Sequence, residues 1–157
     1  LAGLRDGGTL FVQTEQLDPE GLWADLPLSA RRIIRRRNIR VLGLDNQRIA
    51  QEEAPTRDLV QRMQGIVLLG VFLRSTPYRE NLGVTDDLLW EKVTVALRRF
   101  FGPRRGEQVV QDNFRVVKRG YMEVMEVPRF VIDRDSTLDE VNGNEYSEME
   151  STNLFNV

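Results

Sequence analysis

The chain has 157 residues, 41% of them hydrophobic and 29% charged, and its formal net charge is −2. This length and composition are typical of one globular domain with a sizeable core, and they exclude a fibrous or wholly disordered protein. The sequence contains no histidine and no cysteine, so thiolate, iron–sulfur, structural zinc or imidazole chemistry is not expected from this chain alone.

The first third of the chain contains two predicted strands. Residues 7–13 combine a glycine turn with a short apolar, β-branched run, and residues 39–44 form a second apolar run. Short apolar runs bounded by turn formers are typical of buried strands. A predicted helix separates the two strands, so we expect a crossover unit in which the strands are parallel and covered on both faces.

Most of the remaining chain is predicted to be helical from its apolar spacing and its capping residues. The earlier predicted helices are one after Asp18-Pro19, one from the N-cap Ser29 to Asn38, one at 47–52 capped by Asp45 and closed off by Pro55, and one at 58–74 capped by Thr56. The later ones are a helix from Thr85 to a stop at Gly102-Pro103, with Leu89, Val93, Leu97 and Phe101 facing inward, and a helix from about Val109 to Gly120.

The helix at 58–74 has no polar side between Ile66 and Phe72. A helix that is apolar all round is normally buried between two layers. We therefore expect it to lie between the sheet and either the later helices or a partner subunit, with Gly65 and Gly70 permitting close approach of a neighbouring backbone.

Two strands form too small a sheet to bury the apolar surfaces of at least four helices. Open α/β sheets usually contain several strands. The sequence therefore predicts an α/β fold: a three-layer domain with a mostly parallel sheet, incomplete in this chain and completed by an upstream segment or a partner chain. We assign residues 1–128 to this domain.

Residues 129–157 are predicted to be an acidic extended or disordered tail. From residue 133 onward there are seven acidic residues and one arginine, with too little apolar surface to offset the entropy of ordering. The alternative is a tail that wraps a partner through scattered apolar residues: Leu138, Tyr146, Met149, Leu154 and Phe155.

Arginines form the strongest candidate binding site. They cluster on and just after the helix that begins at Ser29: Arg31, Arg32, Arg35, Arg36, Arg37 and Arg40. Guanidinium groups suit phosphates and carboxylates, which favours an anionic partner or a nucleotide such as coenzyme A, whereas a solvated helix face is the simpler alternative. Nucleic acid is not expected, because the net charge is negative and no aromatic residues interleave with the basic ones.

A glycine turn formed by Gly7, Gly8 and Thr9 precedes the first strand. Its amides could approach a phosphate, but a tight entry into a strand explains these glycines as well. The glycine patterns of dinucleotide-binding loops and P-loops are absent.

One acidic residue and two acidic pairs are candidates for catalysis or metal binding. Asp45 follows a strand end, where α/β proteins bind ligands, although helix capping explains it at least as well. The pairs Glu52-Glu53 and Asp86-Asp87 suit acid–base work or hard metals in principle. Adjacent helical residues do not face each other, so surface and dipole roles are favoured and no metal site is expected. The longest uncharged stretch, residues 64–73, is too short to span a bilayer, so no transmembrane helix and no membrane partner are expected. The ordinary composition, the absence of cysteine and the absence of a recognisable signal peptide favour a cytoplasmic location.

Five segments in a fixed order extend from the first strand to the last helix: 4–10, 28–40, 44–50, 64–72 and 106–121. Together they resemble the C-terminal portion of the gamma subunit, or gamma domain, of pyruvate:ferredoxin and related 2-oxoacid:ferredoxin oxidoreductases. The resemblance covers about residues 3–128. The family's amino-terminal glycine-rich strand, loop and helix is not found here, and the acidic tail has no assignable counterpart, which suggests a split or truncated subunit.

The resemblance implies an enzyme that decarboxylates a 2-oxoacid with thiamine diphosphate and Mg²⁺, passes electrons through [4Fe–4S] clusters to ferredoxin or flavodoxin, and yields an acyl-CoA. It implies that thiamine-binding and ferredoxin-like chains hold these cofactors, while the gamma part packs on them, is not catalytic alone and helps to accommodate coenzyme A. The candidate contacts for coenzyme A or another anion are Gly7, Gly8, Thr9, Arg32, Arg35 and Arg36.

Two other functions stay open at this point. Segment 4–10 also resembles the late strand of S-adenosylmethionine-dependent methyltransferases, so the chain could be the C-terminal half of such a domain. A pure scaffold without any ligand contact is the other possibility.

Overall fold

The computed structural model describes residues 3–139, so the predictions for residues 140–157 lie outside the described residues. In chain order the elements are β1 (Thr9–Gln13), α1 (Pro19–Asp25), α2 (Leu28–Arg36), β2 (Arg40–Leu44), α3 (Asn46–Glu53), α4 (Val60–Ser75), α5 (Tyr78–Leu82), α6 (Asp86–Glu123), β3 (Met125–Glu126) and α7 (Arg129–Asp133). Single 3₁₀ turns lie at Arg57–Leu59 and Ser136–Leu138. Across residues 3–139, no helix has both the length and the apolar character needed to cross a bilayer.

The sheet has three strands in the order β1-β2-β3. β1 and β2 are parallel, with Thr9 opposite Arg40 and Gln13 opposite Leu44, which confirms the predicted parallel pair. β3 runs antiparallel to β2 and was not predicted, because two residues are too short for a periodic pattern. The described sheet is therefore small and mixed.

Helices cover the sheet on both faces, as expected for a three-layer α/β domain. Val41 of β2 packs with residues of α1, α2 and α7 in one buried cluster. Its neighbour Leu42 points to the other side and packs with residues of α3, α4 and α6. Because successive strand residues face opposite sides, the apolar run of β2 serves both layers.

α4 and the second half of α6 cross with their backbones in contact. A Cβ atom at Gly70 would lie 2.7 Å from the amide nitrogen of Tyr121 and closer still to the Val117 carbonyl oxygen. A Cβ atom at Gly120 would overlap the carbonyl of Val67. The predicted close approach at Gly70 is confirmed; the one at Gly65 is wrong, because that position faces open space.

α6 is a helical hairpin. Its backbone leaves helical geometry at Gly106 (φ 79°, ψ 173°), which separates residues 86–105 from residues 107–123. The two halves pack side by side, with Trp90 edge-on against Phe114 and Arg98 paired with Glu107. The predicted stop at Gly102-Pro103 is therefore a few residues early. The predicted stop at Gly120 is also early, because the helix continues to Glu123 and Gly120 serves the crossing with α4.

Residues 129–139 are not the extended tail that the composition predicts. They form α7 and the last 3₁₀ turn, and Val131 and Ile132 are buried in the cluster with α1 and α2. The physical reason lies in pairs distant in sequence, because Asp135 binds Arg31 and Asp139 binds Arg35. For residues 140–157 the tail remains a prediction.

Candidate functional site

The arginines of α2 form two rows with different surroundings. Arg31 binds the carboxylate of Asp135 at 2.8 Å, and Arg35 binds Asp139 and the backbone oxygen of Asp135. Beyond this row, Arg37 pairs with Asp6, and Arg40 forms two 2.8 Å hydrogen bonds to Glu126. Most of the predicted basic cluster is thus neutralised within the chain.

Arg32 and Arg36 form the second row, one helical turn apart. Neither makes an ion pair within the described part of the chain, and Arg36 is exposed while Arg32 is half-buried. Ser29 lies inside the first turn of α2 and is not its N-cap; Pro27 occupies that position without a side-chain hydrogen bond. What remains of the predicted anion site is therefore the pair Arg32 and Arg36.

The glycine turn lies at the C-terminal end of α2. The Gly7 amide (φ 72°) donates to the Arg37 carbonyl oxygen at 2.8 Å, and the Gly8 amide donates to the Arg5 carbonyl oxygen at 3.0 Å. Both amides are occupied, and the carbonyl end of a helix dipole is unfavourable for an anion. Thr9 begins β1 at the exposed surface. This turn has the geometry of a strand entry.

Polar side chains close the carboxyl ends of the two parallel strands. The side-chain amide Nε2 of Gln13 donates to the Asp45 carboxylate at 2.8 Å, and the side-chain oxygen Oε1 of Gln13 accepts from the backbone amide of Asn46 at 3.0 Å. Asp45 also accepts from the Arg48 amide at 2.9 Å, which confirms it as the N-cap of α3. The first backbone amides of α3 therefore already have hydrogen-bond partners in this chain. They lie at the carboxyl ends of the strands, where other α/β proteins bind ligands.

Three of the four paired acids, Glu52, Glu53 and Asp86, bind arginines within residues 3–139. Glu52 and Glu53 both contact Arg119, which bridges α3 to α6. Hydrogen bonds from Arg119, and then from Arg48, hold the pKa of Glu52 below its ordinary value. Asp86 pairs with Arg79 at 2.6 Å. Within residues 3–139 no three His, Cys, Asp or Glu side chains cluster so as to hold a metal ion.

The outer edge of β1 is open. Within the described residues β1 pairs only with β2, and Leu10 and Val12 direct their amide and carbonyl groups to it. By the alternation of a parallel ladder, Thr9, Phe11 and Gln13 direct theirs away from β2. Such an edge is a ready template for another strand, and no pattern in the sequence marks which edge is open.

Apolar side chains are exposed on two helices of the layer that contains α3, α4 and α6. On α4 the exposed fractions are 39% for Leu68, 39% for Leu69 and 55% for Phe72; we call these three residues the α4 patch. The described chain thus leaves one side of α4 uncovered, whereas Met63, Val67 and Val71 are buried between the sheet and α6, as the first of the two predicted arrangements requires.

The first half of α6 exposes a second surface. Leu88, Val95 and Phe100 are 38%, 57% and 81% exposed. Phe100 also borders a groove between α4 and α6 together with Leu69, Ala96 and Leu97. The periodic pattern of this helix marks its inward residues, and the apolar residues on its outer side carry no separate signal in the sequence.

A known protein family matches most of the chain. The family model described as pyruvate ferredoxin/flavodoxin oxidoreductase matches residues 1–123. No curated protein matches the chain. The matched range contains both parallel strands and ends with the last residue of α6, and nothing in the comparison supports the methyltransferase alternative.

Proposed function

Because the chain belongs to the pyruvate ferredoxin/flavodoxin oxidoreductase family, we propose that it is the gamma-type, non-catalytic component of a thiamine-dependent 2-oxoacid:ferredoxin oxidoreductase. The complete enzyme would convert a 2-oxoacid, coenzyme A and an oxidised acceptor into an acyl-CoA, CO₂ and the reduced acceptor. In this proposal the chain supplies binding surfaces, and a cytoplasmic location stays a prediction.

The side chains present do not fit the family's redox cofactor. Iron–sulfur clusters are held by thiolates, and the sequence has no cysteine. Within residues 3–139 no three His, Cys, Asp or Glu side chains cluster so as to hold a metal ion by themselves. The proposal therefore assigns the clusters, thiamine diphosphate and Mg²⁺ to other chains, and no catalytic step to this one.

The family match carries the proposed activity, and the open edge of β1 supports the part of the proposal that concerns contact with other segments or chains. Thr9, Phe11 and Gln13 direct backbone groups outward, away from β2, along a strand whose central side chains are half-buried. Exposed long edges are normally covered or paired in native proteins. We infer that a strand from an upstream segment or a partner chain pairs with this edge and extends the sheet.

The α4 patch adds a second surface for other subunits. Leu68, Leu69 and Phe72 are adjacent on the outer side of a helix whose inner side is buried at 0% exposure for Val67. Contiguous exposed apolar surface marks interaction sites more often than isolated apolar residues do. We infer that a subunit of the complex covers this patch.

The test of this function is purification of the tagged full chain from the cells that produce it. The proposal expects chains that carry thiamine diphosphate and iron–sulfur clusters in the eluate, together with 2-oxoacid- and coenzyme A-dependent reduction of a viologen dye. A chain recovered alone, in an eluate without this activity, would refute it. As a matched control, the variant Phe72→Asp should recover less of the partner chains, whereas Met122→Asp, on another exposed apolar residue, should recover the same amount.

Arg32 and Arg36 are the proposed contacts for coenzyme A. Two guanidinium groups on successive turns, neither paired within residues 3–139, suit a phosphate, and the other candidate arginine, Arg35, is already held by Asp139. In the assembled enzyme, Arg32→Ala combined with Arg36→Ala should raise KM for coenzyme A several-fold and leave KM for the 2-oxoacid unchanged. Arg62→Ala, on exposed α4 surface, is the control. Equal KM values for coenzyme A in all variants would instead favour a pure scaffold.

A further inference from the structure

We propose that residues 140–157, the acidic segment that follows the described residues, bind the groove between α4 and the first half of α6 in the same chain. In this proposal Leu154 and Phe155 enter the groove, and glutamates of the segment face the bases at its rim. The inference goes beyond the proposed function, because it concerns a contact within one chain and needs no cofactor, substrate or other subunit.

The groove is an apolar cleft of about 350 Å³ that the described residues leave open. Ile66, Leu69 and Leu73 line it from α4, and Ala96 and Phe100 are among the residues that line it from α6. Of these, Leu69 is 39% exposed and Phe100 is 81% exposed. An apolar cavity of roughly 150 Å³ already accommodates a benzene ring, so this groove has room for two large apolar side chains.

The rim of the groove is basic on the α6 side. Lys92 lines both the groove and the adjoining depression on α6, and Arg99 and Arg104 border that depression as well, against the single acid Glu91. None of the three bases makes an ion pair with a described residue, whereas the neighbouring Arg98 is paired. Opposite charge favours association at such a rim. The groove therefore suits an occupant that is both apolar and acidic.

Residues 140–157 have this composition. They contain no base and four acids: Glu140, Glu145, Glu148 and Glu150. Because the whole sequence has 22 basic and 24 acidic residues, the segment carries −4 and residues 1–139 carry +2. The segment also contains the large apolar residues Tyr146, Met149, Leu154 and Phe155, of which the last two are adjacent. The chain thus contains its own complement to the groove.

The segment begins within reach of the groove. Asp139 binds Arg35 near the end of α2, and Arg40, five residues further on, donates to the Ser75 carbonyl oxygen at 3.0 Å. Ser75 is the last residue of α4, two positions after Leu73 of the groove. Five residues of chain span at most about 18 Å, whereas the whole segment spans up to about 60 Å. Its length is therefore sufficient to reach the groove and follow it.

The contact leaves part of the α4 patch free. Leu69 belongs to both the patch and the groove, whereas Leu68 and Phe72 do not line the groove. The segment and another subunit can therefore bind neighbouring surfaces of α4, and the two proposals do not compete.

Disulfide trapping in the full chain tests the proposal, because the sequence has no cysteine of its own. Asn153→Cys places one thiol beside the two proposed anchors, and the second is placed either in the groove, by Ala96→Cys, or on α1, by Ala24→Cys. Both alanines are exposed, and Ala24 borders a depression that includes Asp135, close to the point where the segment begins. On oxidation of the dilute chain with diamide, the pair at 96 and 153 should form at least about tenfold faster than the pair at 24 and 153, because docking raises the effective concentration of the thiol.

Further substitutions in the trapped variants test the two parts of the contact. Leu154→Asp combined with Phe155→Asp should remove the preference for position 96, and Lys92→Glu combined with Arg99→Glu should reduce it several-fold. As the matched control, Arg57→Glu combined with Arg62→Glu makes the same change in net charge at exposed positions that do not line the groove, and should leave the preference unchanged. Circular dichroism of each variant shows whether the fold is intact.

Three results would overturn the proposal. Trapping at position 24 as fast as at position 96 would show that the segment has no preference for the groove. Disulfides that form only between two chains, visible as dimers on non-reducing gels, would assign the groove to the segment of a second copy. A preference that survives both the apolar and the charge substitutions would place the segment outside the groove. None of these results bears on copurification with other subunits, so failure here is distinguishable from failure of the proposed function.

Discussion

The crossing of α4 and α6 makes the sharpest prediction about stability, the effect of Gly70→Ala. The new Cβ atom would lie 2.7 Å from the Tyr121 amide nitrogen, where an ordinary contact begins at 3.4 Å. The Val117 carbonyl oxygen would be closer still, so the helices must separate by more than about 0.7 Å. A gap of about 0.5–1 Å already forfeits roughly a quarter to a half of the dispersion energy of each contact it opens.

The expected net cost follows from two opposing effects. Overpacking typically costs about 1–3 kcal/mol and more where backbone must move, while alanine gains about 1 kcal/mol in helix propensity over glycine. Because the obstacle at Gly70 is backbone, the cost lies at the upper end of this range, and we expect Gly70→Ala to lower the free energy of unfolding by about 2 kcal/mol in urea titrations.

Gly65→Ala is the matched control in the same helix. No atom lies within 4 Å of the position its Cβ would take, so only the propensity gain remains and the variant should be more stable than the wild type by up to about 1 kcal/mol. Opposite signs for the two variants are required. If Gly70→Ala stabilised the chain as Gly65→Ala does, the described crossing would be wrong.

Three further predictions concern ion pairs and the hairpin. Asp135→Asn should lower the free energy of unfolding by about 1–3 kcal/mol at pH 7, because the part-buried Arg31 loses its charged partner. Burial opposes ionisation of Asp135, but hydrogen bonds from Thr137 and Trp23 and the charge of Arg31 lower its pKa in the folded chain. The stabilisation by the Asp135 carboxylate is therefore present above the pKa of the unfolded chain and is lost as pH falls through the pKa of the folded chain. Urea titrations should accordingly show that the stability difference between Asp135→Asn and the wild type vanishes in acid. Gly106→Ala should destabilise the chain by about 1–3 kcal/mol, since φ 79° with ψ 173° is a region that glycine alone tolerates well, and a thermal midpoint equal to that of the wild type would contradict the hairpin. Hydrogen bonds from Arg98 lower the pKa of Glu107 to about 2, so carbon-detected NMR titration should find this pKa raised toward the ordinary range in Arg98→Ala, with no change if the pair does not form.

The elements with local signals were predictable from the sequence. The parallel strands follow from two short apolar runs with a helix between them, and Asp45 follows from the preference of carboxylates for N-caps. The crossing at Gly70 was also predictable, because a glycine in an apolar helix points to backbone contact. The family could be recognised in the same way, from the order of segments between residues 4 and 121.

The parts that failed depend on partners distant in the sequence. Composition predicts a tail after residue 128, but it does not record that Asp135 meets Arg31, 104 positions earlier. The same contacts occupy Arg35 and so reduce the predicted anion site to two arginines. Exposure on the α4 patch was not predictable either, because a uniformly apolar helix carries no mark of the side that its own chain leaves uncovered.

The claim on which the account depends is that the sheet of this chain continues into another segment at β1. Hydrogen exchange of the Thr9, Phe11 and Gln13 amides, compared between the isolated chain and the purified complex, tests it most directly. The account predicts fast exchange of these three amides in the isolated chain and strong protection in the complex, while Leu10 and Val12, which bond to β2 in both states, change little. Equal exchange rates in the two samples would contradict it.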